Sequence, residues 1–499
     1  MPRGTGSTQL NIKRPSISLR DRVIAQFRSE ATPWQAQTAF TDLNTQGYRP
    51  ILVSGYALGS DDTPVPNIPS SGVPVPGLSA FDDAMKRYMG ARNVPAAVLC
   101  VSKNGKILLE HAYGWQDRAK SLPLKPSALF RIASLSKPPS AAAVRKLVAD
   151  GKLKLTDFAF NLGQPVPGIL KIVPFGTPDA RLKQVTVAHL LDHKAGWDRD
   201  ISGDPMFQAN QIATALKVPN PPSQEDFVRF TLGKPLDHAP GSTYAYSNFG
   251  YLVLGLIIEK VSGRDYVDYL HRSLLRPLGS SDADLELGRS LPNLRNEREP
   301  WYSDPATGVS VFSPPRILPF PDGAFYLEAM ESHGGLISSV RAYCRFLKGY
   351  WISGHPRAGN GQSWTFFGSL PGTWSMAHQR ADGVDLVAFF NQRTDPSGLS
   401  YDDILPLLNG VADSIADWPT VDVTQLVPVA PRIELRVPIQ SLAFQTETGR
   451  VYQLQWTLDF EIWGDQGSHQ IGNGRSMTVQ VDLGKSRAPG PRLYRLVVE

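Results

Sequence analysis

Proline residues divide this chain and limit what each part of it can fold into. Residues 61–77 combine two acidic residues with five prolines: Asp61, Asp62, Pro64, Pro66, Pro69, Pro74 and Pro76. Proline cannot donate a backbone hydrogen bond and it resists helix formation, so this composition is typical of a linker. A second linker is predicted further along the chain. The resulting division is an extension at 1–32, units at 33–60, 78–418 and 433–499, and linkers at 61–77 and 419–432.

The central unit is large enough to hold a core of its own. Helical patterns alternate in it with β-rich runs at 96–101, 106–111, 373–379 and 384–390. This alternation indicates an α/β or α+β domain. The last two runs are joined through Ala381-Asp382-Gly383 and predict a β-hairpin, because Asp-Gly suits the left-handed positions of a tight turn. A terminal helix is expected over 402–417.

The two flanking units are short. Thr32, Pro33 and Gln35 form a capping pattern that predicts a helix ending near Gly47, and 50–58 is predicted to be a strand. This α/β unit is too small to hold a core alone. Residues 433–499 alternate at a period of two with glycine interruptions, so a small all-β module is expected there.

Composition excludes several classes of function. The formal charge of +5, from 51 Lys and Arg against 46 Asp and Glu, is small for 499 residues and is not gathered into runs. The sequence therefore predicts no nucleic-acid partner. No apolar run approaches the roughly 18 residues that span a membrane, which predicts a soluble protein. Cys100 and Cys344 cannot form a disulfide framework, and both are expected to be buried.

The quartet Ser134-Leu-Ser-Lys137 stands before an Ala-rich helical run. With Ser134 at the N-terminus of that helix, a spacing of three places the Lys137 amine near the serine hydroxyl. A serine becomes a good nucleophile when a neighbouring base removes its proton, and a desolvated lysine is neutral enough to do so. By itself, however, the quartet is more typical of a capped helix start with a solvated lysine.

The residues around this quartet, and a second motif later in the chain, resemble those of a known family. Phe130-Arg-Ile-Ala-Ser-Leu-Ser-Lys137 resembles the first motif of the class C β-lactamase-like serine hydrolases, which include family VIII carboxylesterases, D-aminopeptidases and penicillin-binding proteins. Pro240-Gly-Ser-Thr-Tyr-Ala-Tyr-Ser-Asn248 resembles their Tyr-x-Asn motif. The resemblance covers residues 79–418. It implies a β-lactamase/transpeptidase-like α+β domain, in which helices flank an antiparallel sheet and a helical subdomain is added.

The resemblance also implies roles by motif position. Tyr246 would pass a proton between Ser134 and the leaving group, and Asn248 would hold Lys137 and the substrate. We expect the neighbouring lysine to lower the pKa of the Tyr246 hydroxyl. The alternative for Tyr246 is a core aromatic residue.

The third motif departs from the family pattern. Related sequences have Lys-Thr-Gly, His-x-Gly or Trp-Gly-Gly on the strand beside the site, whereas this chain has Phe366-Phe-Gly368-Ser369. Phe366 stands where the cation would be, so we expect neutral or apolar acyl groups rather than a substrate carboxylate. Gly368 would let the strand approach closely. The backbone N–H groups of Ser369 and Ser134 are the expected oxyanion hole.

The flanking units carry two further resemblances. Residues 34–56 resemble one copy of the repeat in fungal polyglycine hydrolases, which are secreted endopeptidases. Residues 451–499 resemble C-terminal β-sandwich modules of secreted bacterial proteins. We therefore expect a secreted or periplasmic protein, although residues 1–29 show no secretory signal.

The motifs together predict a serine hydrolase that cleaves carboxylic esters or amides through an acyl-enzyme on Ser134, with Lys137 and Tyr246 as base and acid. One alternative is a polyglycine-hydrolase-like endopeptidase or D-amino-acid peptidase, and another is a non-catalytic penicillin-binding recognition protein. The expected partner is a small or polymeric ester or peptide substrate.

No cofactor or metal is predicted. His189 and His193 have the spacing of a helical metal pair but no third ligand, and they are interpreted as structural. The sequence does not specify the oligomeric state or the deacylation base.

Overall fold

The computed structural model describes residues 65–393, 401–425, 441–446, 448–457, 464–473, 475–480 and 493–498. The chain forms two compact units, 1–64 and 65–499. The first unit lies outside the described residues, and so do the helix predicted from Thr32 and the strand predicted at 50–58.

The helices of the described residues often begin at a side-chain cap, which satisfies backbone N–H groups that have no partner inside the helix. Ser223 accepts from the Asp226 N–H at one helix start, and Ser247 accepts from the Gly250 N–H at another. The α-helices are α1 (Ser79–Arg92), α2 (Lys137–Ala149), α3 (Val187–Leu191), α4 (Ala209–Leu216), α5 (Gln224–Leu232), α6 (Asn248–Ser262), α7 (Tyr266–Leu270), α8 (Val340–Gly349) and α9 (Ile404–Ser414). The terminal helix predicted over 402–417 is confirmed as α9.

The strands between residues 65 and 393 form one large antiparallel sheet and two small sheets. They are β1 (Ser70–Gly72), β2 (Ala96–Lys103), β3 (Lys106–Gly114), β4 (Phe130–Arg131), β5 (Leu285–Leu287), β6 (Thr307–Val309), β7 (Ile317–Pro319), β8 (Leu336–Ser338), β9 (Trp364–Leu370), β10 (Thr373–Gln379) and β11 (Val384–Phe390). The large sheet has the order β1-β3-β2-β11-β10-β9, and β4-β8-β5 and β6-β7 are the small ones. All pairs of the large sheet are antiparallel.

The predicted hairpin is confirmed as β10 and β11. Its register pairs Trp374 with Phe390 and Gln379 with Asp385. Gly383 has a φ of 84° in the connecting turn. A Cβ at that position would lie 2.3 Å from the Asn104 side chain, so the turn requires glycine for both its backbone conformation and its close contact.

Both faces of the large sheet are buried, as the alternation along β2 shows. Ala96, Val98 and Cys100 belong to a core cluster that includes residues of α2 and α8, while the intervening Leu99 and Val101 belong to a second cluster with α1 and α9. Successive strand residues point to opposite faces, so helices cover the sheet on both sides. The helical subdomain, α3 to α7, contributes to the first cluster. This confirms the predicted arrangement.

Part of the predicted first linker belongs to the sheet. Ser70–Gly72 pairs with β3, with Ser70 opposite Tyr113, and the Ser71 hydroxyl donates to Leu124 O at 2.6 Å. β1 is an edge strand, which is where proline is tolerated because one row of N–H groups needs no partner. The prolines stand on either side of β1 and not within it, so the segment that was predicted to be a linker contains one strand of the sheet.

The described C-terminal residues are all-β, as predicted for 433–499. Their strands are β12 (Ser441–Gln445), β13 (Val451–Thr457), β14 (Gly464–Ile471), β15 (Ser476–Gln480) and β16 (Leu493–Val498). They form a two-stranded sheet, β12-β15, and a three-stranded sheet, β14-β13-β16.

The expectation that both cysteines are buried is met within the described residues. Cys100 and Cys344 are buried and free of a disulfide. None of the described helices has the length and apolar character needed to cross a membrane.

Candidate active site

Ser134 lies in a tight turn between β4 and α2. The turn is a 3-10 segment, Ala133–Ser136, that runs directly into the helix. Ala133 is buried and has a φ of 47°, in the left-handed region that a residue with a side chain seldom adopts. Ser134 stays partly exposed while its neighbours are buried. The expectation that Ser134 begins the α-helix is thus corrected, because the first α-helical residue is Lys137.

Lys137 is 2% exposed and contacts three oxygen atoms. Its Nζ lies 3.4 Å from Ser134 Oγ, 2.7 Å from Asn248 Oδ1 and 2.8 Å from His333 O. Burial holds the pKa of the Lys137 amine well below its ordinary value, because the charged form loses its hydration. A neutral amine has two N–H groups and one lone pair. In the neutral form, with these N–H groups donated to the two carbonyl oxygens, the lone pair is left for the proton of Ser134.

Tyr246 approaches the same serine oxygen as a donor. Its hydroxyl donates to Ser134 Oγ at 2.8 Å. Burial raises the pKa of Tyr246 to about 12, although the hydrogen bond to Ser134 and the charge of Arg199 act to lower it. The expectation that Lys137 lowers this pKa was wrong, because the buried lysine is itself driven toward its neutral form. Tyr246 is therefore protonated at neutral pH.

His193 supports the Tyr246 ring. The two rings are stacked with their centroids 4.7 Å apart, and the Ser247 N–H donates to His193 Nδ1 at 3.1 Å. Burial lowers the pKa of His193 to about 3, so the imidazole is neutral and can accept that bond. His189 lies apart from this contact: its Nδ1 accepts from the Thr186 N–H at the start of α3. Among the described residues no group of three or more His, Cys, Asp or Glu is placed to hold a metal ion.

Asn248, the first residue of α6, connects Lys137 to an acid that the sequence analysis missed. Its Oδ1 accepts from Lys137, and its Nδ2 donates to Asp204 Oδ2 at 2.6 Å. Asp204 also accepts from the Met206 N–H at 3.0 Å and so caps a short 3-10 turn. Asp204 lies 44 residues before Asn248, and no local spacing pattern joins the two.

Gly368 lies on β9 directly beside the serine turn. A Cβ on this residue would lie 2.3 Å from both Ile132 O and Ser375 Oγ, and 3.0 Å from the Ser134 nitrogen. Only glycine permits this approach, as the third motif predicted. Ser369 is exposed at the site, whereas Phe366 packs against the first core cluster.

The serine opens into a cavity of about 290 Å³. Its lining combines residues of the three motifs with residues from distant loops: Ser134, Arg199, Phe207, Asn248, His333, Gly334, Ser369, Leu370 and Arg393. Phe366 is not part of this lining. Two cations, Arg199 and Arg393, face the cavity, although the third motif has Phe366 at its cation position. The third motif could not predict these two arginines, because both lie outside it, in other loops of the chain.

A model of the beta-lactamase family matches residues 81–388, which is more than half of the chain. The chain belongs to the beta-lactamase family. Membership confirms the β-lactamase/transpeptidase-like fold predicted from the first two motifs. A second family model, described as a polyglycine hydrolase-like structural repeat, matches residues 25–63, in agreement with the resemblance noted at the N-terminus.

Curated relatives match part of the chain. Protein flp of Staphylococcus aureus (strain N315) is 30% identical over 199 residues, which cover 40% of this chain and 36% of that protein. Penicillin-binding protein 4* of Bacillus subtilis (strain 168) is 30% identical over 196 residues, or 39% of each chain. The chain thus spans less than half of the length of these relatives.

Solved structures are similar to this chain at lower identity. The octameric penicillin-binding protein homologue from Pyrococcus abyssi is 20% identical, with 84% of this chain and 95% of that chain covered and a TM-score of 0.47. The D-amino acid amidase from Ochrobactrum anthropi SV3 is 21% identical, with coverages of 68% and 97% and a TM-score of 0.49. A class C beta-lactamase is 16% identical, with the same coverages and TM-score.

Proposed function

We propose that this chain is a serine hydrolase that cleaves carboxylic esters, with Ser134 as the nucleophile. One observation carries the proposal: Ser134 Oγ lies between a buried amine at 3.4 Å and a protonated phenol at 2.8 Å. The pKa shifts of the two groups are opposite in direction, toward a neutral Lys137 and a protonated Tyr246. A base and an acid around one hydroxyl are what nucleophilic acyl transfer requires.

Acylation follows from these contacts. Lys137 takes the proton of Ser134 as Oγ bonds to the ester carbonyl carbon. When the tetrahedral intermediate collapses, the bond from carbon to the alcohol oxygen breaks, and Tyr246 gives its proton to that oxygen. The proton held by Lys137 then restores Tyr246, so the alcohol leaves neutral and the acyl group stays on Ser134.

The oxyanion requires donors that are in position before reaction. We assign this role to the backbone N–H groups of Ser134 and Ser369, because Gly368 brings β9 against the serine turn. Asn248 is proposed to hold Lys137 and to contact the substrate from the cavity wall. Phe366, which is half-buried and two residues before Gly368 on β9, is proposed to support the site by packing against the core.

Deacylation uses the same base. A water molecule in the cavity gives a proton to Lys137 as its oxygen attacks the acyl carbon, and the bond to Ser134 Oγ breaks. Lys137 passes that proton to Ser134 Oγ, and the carboxylic acid is released. Lys137 is preferred to Tyr246 as the base because the tyrosine stays protonated to about pH 12.

Covalent labelling and turnover test this function together. The full chain should hydrolyse p-nitrophenyl butanoate and bind one fluorophosphonate probe at Ser134, as located by mass spectrometry. Ser134→Ala should lose both properties. Ser136→Ala, which removes a buried hydroxyl from the same turn, should keep them. Full activity in Ser134→Ala would exclude the proposal, and a folded wild type without label or turnover would favour the non-catalytic recognition protein.

A second candidate function, endopeptidase cleavage of glycine-rich peptides, is favoured by the N-terminal repeat match. The chemistry at Ser134 would be unchanged, with an amine as the leaving group. Mass spectrometry of a polyglycine-containing peptide after incubation with wild type and with Ser134→Ala decides this point. The same repeat supports the proposal that the protein is exported.

A further inference from the structure

We propose that a second cavity, at the start of β9, binds a neutral saccharide. This tryptophan cavity, named for Trp351 and Trp364 in its wall, has a volume of about 440 Å³. Small-molecule sites occupy roughly 300–1,000 Å³. The described residues that line it all differ from those around Ser134. The inference therefore concerns a separate site and does not rest on the proposed function.

Trp364 supplies the aromatic surface of the tryptophan cavity. This first residue of β9 is 39% exposed, and its Nε1 donates to Gln362 Oε1 at 3.1 Å. The hydrogen bond holds the indole in place while part of the ring stays open. Trp351 is only 6% exposed, and Arg357 Cζ lies 4.7 Å from the centroid of its ring. One face of Trp351 is therefore covered, and Trp364 is the ring on which a ligand can stack.

Three polar side chains complete the wall: Ser353, His355 and Gln362. Within the described ranges, no protein group forms a hydrogen bond with the Ser353 hydroxyl, the His355 ring or the Gln362 amide nitrogen. A hydroxyl and a neutral imidazole both donate and accept, and an amide nitrogen donates. These groups are therefore available to a ligand that carries donors and acceptors together.

The lining of the tryptophan cavity is uncharged. Among the described residues that form it, none is Asp, Glu, Lys or Arg. Loss of hydration and the charge of Arg145 lower the pKa of His355, so its ring is neutral at neutral pH. Arg145 and Arg357 lie close by but outside the lining: Arg145 Nε donates to Ser353 O at 3.3 Å, and Arg357 binds both oxygens of Asp385. An uncharged ligand suits this wall better than a phosphate or a carboxylate.

A pyranose ring combines the two features that the tryptophan cavity offers. One side of the ring consists mainly of C–H bonds, which pack on the electron-rich face of an indole. Its hydroxyls stand around the edge and donate and accept at the same time, as Ser353, His355 and Gln362 require. A wholly apolar ligand would bury these polar groups without partners, which costs binding free energy. The wall therefore favours a saccharide.

The loop that forms this wall is held by its backbone. The Trp351 N–H donates to His355 O, and the Arg357 N–H donates to Gly349 O at the end of α8, each at 2.8 Å. A wall that is already ordered loses little entropy when a ligand binds. Trp364 and Gly368 lie on the same face of β9, four residues or about 13 Å apart. A bound saccharide would thus lie beside the serine turn and not in it.

Calorimetric titration of the full chain with cellobiose, maltose and N,N′-diacetylchitobiose tests the inference. We expect saturable binding of at least one of these neutral disaccharides. Trp364→Ala should weaken that binding about tenfold because it removes the stacking surface, and Trp364→Phe, which keeps a ring, should lose less. Phe175→Ala is the matched control: it removes a 45% exposed aromatic ring that lines neither cavity, and it should bind as the wild type does.

Two further variants keep the inference falsifiable. Gln362→Ala should weaken binding about two- to tenfold, the contribution of one hydrogen bond, and it provides the test if circular dichroism shows that the Trp364 variants do not fold. Ser134→Ala should bind the saccharide as the wild type does. The inference is overturned if none of the three disaccharides binds, or if Gln362→Ala and the folded Trp364 variants bind with unchanged affinity. Loss of binding in Ser134→Ala would place the saccharide in the serine cavity and would also overturn it.

Discussion

Asn248 Nδ2 lies 2.6 Å from Asp204 Oδ2, and this contact determines which end of the Asn248 amide faces Lys137. An amide can present its oxygen or its nitrogen, and only the oxygen accepts from an amine. Since Asp204 accepts the NH₂ group, the carbonyl oxygen is directed to Lys137. Asp204 thus acts on the proposed base through Asn248, as a positioning residue.

Asp204→Asn should lower kcat/KM for a p-nitrophenyl ester by about tenfold, because a weaker base removes the serine proton less readily. The negative charge of Asp204 acts to raise the pKa of Lys137. Its removal lowers that pKa, so the neutral amine persists to lower pH and the rising limb of the pH profile moves to lower pH. Asparagine retains the capping interaction with Met206. The matched variant Asp226→Asn, at the start of α5, should keep the wild-type pH profile. If the rising limb of the profile does not move in Asp204→Asn, the positioning role of Asp204 is contradicted.

The pH profile of the wild type should have a broad plateau. The base must be neutral, so activity is lost only as pH falls through the lowered pKa of Lys137. The acid must be protonated, so activity is lost as pH rises toward the Tyr246 pKa of about 12. Initial rates with Ser134→Ala as the blank measure this profile. A decline beginning near neutral pH would contradict the assigned protonation states.

Tyr246→Phe should reduce kcat by about 100- to 10,000-fold, the usual contribution of a general acid. The phenyl ring keeps the stacking on His193, so the variant should fold. The alkaline decline should also disappear, since no phenol remains to ionise. Circular dichroism confirms the fold, and a variant with wild-type kcat would exclude Tyr246 from proton transfer.

Gly368→Ala should impair both stability and activity. The new methyl group would meet Ile132 O and Ser375 Oγ at 2.3 Å, so β9 must move away from the serine turn. We expect a loss of about 1–3 kcal/mol in the free energy of unfolding and a large fall in kcat. Gly410→Ala is the matched control, since a Cβ in that part of α9 meets nothing within 4 Å. That control should gain up to about 1 kcal/mol from helix propensity. Equal effects of the two changes in denaturant titrations would contradict the packing argument.

Arg357→Met should destabilise the chain by about 3–5 kcal/mol, because it leaves a buried carboxylate without its partner. Arg357 Nη1 lies 2.8 Å from both oxygens of Asp385, and the two side chains are only 5% and 0% exposed. The double variant Arg357→Met/Asp385→Leu should lose less than the sum of the two single losses. Additive losses in urea unfolding would show that the pair is not coupled.

The parts of the site that could be predicted from the sequence depend on short spacings. Ser134 and Lys137 are three residues apart, and Tyr246 and Asn248 are two apart, so local backbone geometry keeps each pair together. Gly368 was recognisable because close backbone approach requires a particular residue type. Alternating apolar runs likewise predicted the strands and the hairpin of the main sheet.

The remaining parts depend on contacts that no local pattern encodes. Asp204, Arg199 and Arg393 reach the site from loops, and their positions follow from how the whole domain packs. The protonation states could not be predicted either, because they depend on burial rather than on which residue is adjacent. Lys137 was expected to lower the pKa of Tyr246 through its positive charge. Burial instead lowers the pKa of Lys137 itself, which favours the uncharged amine.

β1 also determines how far the catalytic domain can be shortened at its N-terminal end. It covers the outer side of β3, with Ser70 opposite Tyr113 and Gly72 opposite His111. A chain shortened past Gly72 would leave the backbone N–H and C=O groups of β3 open to a strand from another molecule, which is a common route to aggregation. An expressed catalytic fragment therefore needs to begin before Pro69, although sequence composition alone places that residue in a dispensable linker.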